Sequence, residues 1–179
     1  SEHGIQDLTI KNLAKRIDLS EPAIYRHFES KHDILLAILR YFGGSTKGLF
    51  TRVLAMDIDP LRKIERVFMH HFQYFAEHPS VAAVIFSEEI FQNDRKLAQG
   101  VLELMNQTRA HILEIVEAAR QGGTIAADVP AEHLTIVIMG SLRFIVTRWR
   151  LSEHSFDLVA EGQRFWRSLA VLLESGRSA

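Results

Sequence analysis

The chain has 179 residues with 21 Lys and Arg against 22 Asp and Glu, a formal net charge of −1, which excludes a protein that coats nucleic acid by bulk positive charge but not one with a local basic face. It has no cysteine, which excludes disulfide staples, thiolate metal sites and a cysteine nucleophile. Hydrophobic residues make up 47%, enough for a sizeable core, so global disorder is excluded as well.

The densest apolar stretch, Leu134 to Leu142, is about half the length of a membrane-spanning helix. The opening Ser1-Glu2-His3-Gly4 has no basic region followed by an apolar one, so it does not read as a signal peptide. The expectation is a soluble cytoplasmic protein with no membrane partner.

Apolar residues recur at i, i+3 and i+4 almost throughout, with no Asn-Gly hairpin and no sustained alternation, so the predicted fold class is all-α. A short helix is predicted over Thr9 to Ile17, with Ile10, Leu13, Ala14 and Ile17 on one face. A tight turn follows at Asp18-Leu19. Ser20 then caps a second short helix, Glu21 to Phe28. Ser30 with Asp33 reads as a capping box for a third helix that runs to Phe42, or through Gly43-Gly44 to Ala55. The cluster Gly43, Gly44, Ser45, Thr46 and Gly48 is the candidate domain seam. It divides a segment 1–44 from a helical remainder, 45–179.

Further helices are predicted near 60–77, 80–91, 94–120, 130–151 and 156–175. Pro22, Pro60, Pro79 and Pro130 each precede a helical run, where a missing N–H is tolerated. Asp59 is the expected cap for the Pro60 helix and Asp128 for the Pro130 helix. Gly122-Gly123 should end the longest helix.

Two short helices joined by a tight turn form a helix-turn-helix unit, whose second helix is the one that enters a DNA major groove. From Thr9 to Lys31 there are five cations (Lys11, Lys15, Arg16, Arg26, Lys31) and three anions (Asp18, Glu21, Glu29), a modest local excess. The bland alternative is a solvated helical hairpin.

The residues Gly4, Thr9-Ile10, Leu13-Ala14, Ser20, the run Ile24-Tyr25-Arg26-His27-Phe28, and Ser30-Lys31 with Asp33 resemble the DNA-binding domain of the TetR family of transcriptional regulators. The resemblance implies that Tyr25, His27 and Lys31 contact phosphates, and that Thr9 offers a hydroxyl and a backbone N–H at a helix start. It implies that Ser20, Glu21, Pro22, Ala23 and Arg26 face base edges or the adjacent backbone, while Leu13, Ala14, Ile24 and Phe28 are core. The chain departs from the family at Asp18, where Gly is usual, and at Glu21-Pro22-Ala23, which removes polar donors from the groove-facing turn. Ala23 could meet a thymine methyl and Glu21 a cytosine amine, or Glu21 could only stabilise the helix N-terminus. The family's first helix would precede Gly4, so the sequence is expected to start one helix short.

The middle helices carry Phe68, Phe72, Phe75, Phe86 and Phe91 at helical spacing, which as plain sequence reads as core. In the resembling family this region houses a ligand pocket. Phe68, His71, Phe72, Phe75, Phe86, Met105 and His111 are the candidate lining residues, suited to a small apolar molecule. His70-His71, His78, Glu88 and Glu89 match no metal-ligand spacing, so neither a metal nor another cofactor is expected. No nucleophile elbow or phosphate loop points to a catalytic residue.

The 130–151 helix is apolar nearly all round and must be covered on all sides. With the last helix it suggests a four-helix interface of a homodimer. The candidate interface residues are Ile138, Ser141, Leu142, Ile145 and Trp149 on the first helix, and Phe165, Trp166, Leu169 and Leu172 on the second. Gly140-Ser141 would let a partner helix approach closely.

The resulting expectation is a homodimeric repressor. It would be released from palindromic double-stranded operator DNA by a small apolar effector. A helical small-molecule carrier or enzyme, and a protein–protein adaptor, are the alternatives from other classes.

Overall fold

The computed structural model describes residues 28–87, 94–125 and 128–174. These residues form six helices: α1 Lys31–Leu54, α2 Pro60–Glu77, α3 Pro79–Ile85, α4 Arg95–Gln121, α5 Ala131–Leu151 and α6 Leu158–Glu174.

The local starts follow from side-chain chemistry. Ser30 Oγ accepts the Asp33 N–H at 3.2 Å and donates to the Asp33 carboxylate at 2.7 Å, fixing the entry to α1. Asp59 Oδ1 accepts the Leu61 N–H at 2.8 Å, with Pro60 in the first turn of α2. Asp94 caps α4 by accepting from Lys96 and Leu97 N–H at 3.0 and 3.1 Å. The Pro130 helix differs from expectation: Pro130 itself takes the cap position, with no side-chain bond, so Asp128 does not cap it. At the end of α4, Gly123 adopts φ +67, and the Thr124 N–H reaches back to Ala119 O at 2.8 Å.

Of the two ends offered for α1, the longer is found: the helix runs on through Gly43, Gly44 and Gly48, which keep helical geometry and lie inside it, to the cap at Ala55. One boundary departs from the periodicity. α3 is shorter than the predicted 80–91 segment: it stops at Ile85, where Phe86 N–H closes onto Ala82 O at 3.1 Å. Residues 88–93, with Glu88, Glu89 and Phe91, lie outside the described residues.

α2 is the central element. Its buried face, Ile64, Val67, Phe68, His71 and Phe75, repeats at helical spacing. It packs against α6 on one side and α4 on the other; α1 and α5 both lie against α4, and α3 bridges α1 to α5. α6 comes close to α2 at Gly162, which sits on the fully buried ring of Phe72.

At the other end of the domain, His32 of α1 bonds to the Asp94 carboxylate. Burial pushes that carboxyl up, but the Leu97 N–H, His32 and the Lys96 N–H outweigh it, and the group lies below its ordinary value. No helix among the described residues is long and apolar enough to cross a membrane.

Candidate functional site

Of the positions expected to touch DNA, Thr9, Ser20, Glu21, Pro22, Ala23, Tyr25, Arg26 and His27 lie outside the described residues. Lys31 opens α1, and its side chain lies outside them too. Phe28, expected in the core, is half-buried against the hydrophobic cluster.

A cavity of about 320 Å³ opens between α2, α4 and α5. This is the lower end of the range for small-molecule sites. α2 supplies Phe68, His71 and Phe75; α4 supplies Met105 and Ile112; α5 supplies Met139. Phe86 closes one side and Phe42 of α1 another. The few polar groups are Asn106, Thr108, Arg109 and Arg143, besides His71. The Arg143 guanidinium lies 5.5 Å from the centre of the Phe86 ring, while Arg109 is exposed.

Phe68, His71, Phe75, Phe86 and Met105 of the candidate lining residues therefore meet in one wall. Two do not. Phe72 projects from α2 toward α6, with Gly162 against its ring, and His111 stacks on Phe50 at 4.7 Å on the far side of α4. Sequence reasoning missed Phe42, Met139 and the two arginines.

His71 is the polar group most deeply set in the wall, 6% exposed. Its Nδ1 lies 2.7 Å from the Val67 carbonyl oxygen, which can only accept, so Nδ1 carries the proton. Burial pushes the imidazole down to about 4, against the opposing effect of the Val67 bond. The ring is neutral near pH 7, with Nε2 as a bare acceptor. Among the described residues no group of His, Asp and Glu could hold a metal ion.

The expected interface helices carry apolar surface, but mostly at other residues. Ile138, Ile145, Trp149, Trp166 and Leu169 are buried within the domain's own core, because α5 and α6 turn those faces to α4 and α2. Leu142 lines the cavity, Phe165 stacks toward Phe68 at 6.2 Å, and half-buried Ser141 bonds back to Ile138 O. Leu172 alone of the nine is strongly exposed. The outward stripe is Val137, Gly140, Phe144 and Leu151 on α5, beside Val171 and Leu172 on α6. Phe144 is 68% exposed and Leu151 81%. An Arg148–Glu161 pair at 3.6 Å joins the two helices beside it.

Among the described residues, the helix that follows the N-terminal segment helps to wall an apolar cavity, an arrangement open to a small ligand. Comparison with known proteins gives the family. Residues 1–38 match the bacterial regulatory proteins of the tetR family, and residues 49–171 match the family described as YsiA-like protein, C-terminal region. The chain belongs to the TetR family and is a DNA-binding transcriptional regulator, not an enzyme.

Among its relatives is the probable acrEF/envCD operon repressor of Escherichia coli K12, 25% identical over 162 residues, covering 88% of this chain and 74% of that protein. Similar solved structures include FadR from Bacillus subtilis in complex with stearoyl-CoA, with TM-score 0.69, 24% identity and 94% and 88% of the two chains covered. Another is the ketosteroid regulator KstR2 of Mycobacterium tuberculosis, with TM-score 0.75, 17% identity and 97% and 88% covered. At these identities the two structures share the fold.

Proposed function

We propose that the protein is a repressor that binds a palindromic operator as a homodimer and is released when a small apolar or amphipathic molecule fills the cavity. Residues 1–44 act as the DNA-binding unit and residues 45–179 as the effector and dimer unit. The observation that carries this reading is Phe42: α1, which continues directly from the DNA-binding segment, places this ring in the cavity wall. A molecule that displaces the wall must act on α1, so effector and DNA affinities are linked.

The apolar lining suits an acyl chain or a body of similar size, with a polar end at Arg109 and Arg143. The FadR structure with stearoyl-CoA supports an acyl-type effector by analogy of fold. The outward stripe around Phe144 supports a dimer, because an exposed apolar patch of this kind on a helix pair marks a partner surface. A two-fold pair of recognition helices then meets two half-sites about one DNA turn apart.

The test is a mobility-shift titration of the full chain on DNA from upstream of its own gene. Binding should weaken steeply with salt and be reversed by an acyl-CoA series at one chain length. Indifference to every upstream fragment would overturn the reading.

A further inference from the structure

The cavity wall holds a polar atom without a hydrogen-bond partner among the described residues. His71 Nδ1 donates to Val67 O, and no other hydrogen bond to the ring exists among the described residues. The His71 ring lines the cavity, and Nε2 has no hydrogen-bond partner among the described residues. Phe42 and Phe75 hold the ring from two sides, with centroids at 6.0 and 6.1 Å. Any apolar side chain would fill this place without leaving an acceptor bare, and a bare acceptor in such a wall is costly until something donates to it.

We infer that the effector carries a hydroxyl group on its apolar body, separate from any polar end at Arg109 and Arg143, and that this hydroxyl donates to His71 Nε2. The inference rests on the reading of this cavity as the effector site. The chemistry of the wall selects the donor. A carboxylate or phosphate cannot donate, and its charge would oppose the Nε2 lone pair. An ammonium group would enter a cavity whose charged lining groups are Arg109 and Arg143. A neutral hydroxyl satisfies the acceptor and adds no buried charge. His71 is thus a specificity residue: it separates hydroxylated from unsubstituted apolar molecules of the same shape.

The experiment compares decan-1-ol with 1-methoxynonane, which has the same number of heavy atoms but an oxygen that only accepts. Both are titrated calorimetrically into the full chain and into His71→Phe. Decan-1-ol should bind the natural protein roughly 2- to 10-fold more tightly than the ether, and the preference should vanish in His71→Phe. Independently of any variant, the ¹⁵N resonance of His71 Nε2 should move with decan-1-ol and stay in place with the ether.

Equal binding of the two probes with an unmoved Nε2 resonance would overturn the inference, leaving a water molecule as the donor and the effector-site reading intact. Binding of neither probe would overturn that reading, and this inference with it. If His71→Phe does not fold, the resonance in the natural protein decides alone.

Discussion

Gly162 should be irreplaceable, although it lies inside a helix, where glycine is ordinarily a weakness. A Cβ built there would stand 2.4 Å from Phe72 Cδ2 and 2.8 Å from Cε2 and Cγ. The ring cannot retreat: Phe72 is fully buried, edge-on to Phe68 at 4.9 Å. Alanine would gain about 1 kcal/mol from helix propensity. Overpacking a closed core costs about 1–3 kcal/mol, and an approach this short belongs at or above the top of that range. The net expectation for Gly162→Ala is a loss of about 2 kcal/mol or more.

Gly44→Ala is the control. It sits inside α1 with nothing within 4 Å of the added carbon, so propensity acts alone and stability should rise by about 1 kcal/mol. The two changes are chemically identical and should differ in sign. The assay is urea unfolding followed by helix signal at one fixed protein concentration, with the midpoint read at constant slope. Adding Phe72→Leu to Gly162→Ala should recover part of the loss. If Gly162→Ala stabilised the protein as Gly44→Ala does, the close seating of α6 on α2 would be refuted.

The remaining predictions concern the surface, the cavity and the linkage between them. Phe144→Glu should halve the mass seen by light scattering while keeping the helix signal; an unchanged mass would remove the α5 stripe from the interface. Met105→Trp should fill the cavity and weaken decan-1-ol binding about tenfold or more, with operator affinity retained; unchanged binding would place the ligand elsewhere. His32→Leu, remote from the cavity lining, should leave effector affinity without DNA unaltered and reduce the effector's ability to release DNA; an intact response would show that the bond to Asp94 does not transmit. The fourth prediction follows from His71, held at about 4 when folded against an ordinary 6.5. Between these values the unfolded chain binds more protons, so the His71 contribution falls as pH drops below 6.5, by about 2 kcal/mol at pH 5. Unfolding at both pH values, compared with His71→Phe, isolates this loss; an identical pH response in the two proteins would mean that the buried ring is not neutral.

What could be read from the sequence depended on whether the deciding interaction was local. Asp59 before Pro60 and the Gly122-Gly123 pair fix helix ends through bonds within a few residues, and both act where the sequence puts them. The regulator family was legible for the same reason, since its motif is contiguous. The facing of α5 was not. Periodicity identifies a buried face only when the opposite face is polar, and α5 has apolar residues on both. Ile138, Ile145 and Trp149 turn inward and Val137, Phe144 and Leu151 outward, a choice made by α4 and α2 rather than by α5. Phe72 and Phe75 pose the same problem on α2: they differ in facing because Gly162, ninety residues later, leaves room for one ring.

Two attachments of α1 give the proposed switch its physical form. At its start, His32 holds the carboxylate that caps α4, and α4 carries Met105 and Ile112 into the cavity wall. Midway along, Phe42 enters that wall directly, against His71, Tyr74 and Phe75. Because α1 is one unbroken helix through its glycines, the proposed switch would carry displacement at Phe42 along the helix as a tilt about the His32–Asp94 contact. In the proposed switch such a tilt would be felt at the start of α1, where the chain joins the N-terminal segment. Ligands of this cavity therefore act on DNA affinity only as far as they distinguish two positions of α1, and molecules that fill the space without moving Phe42 should bind without inducing.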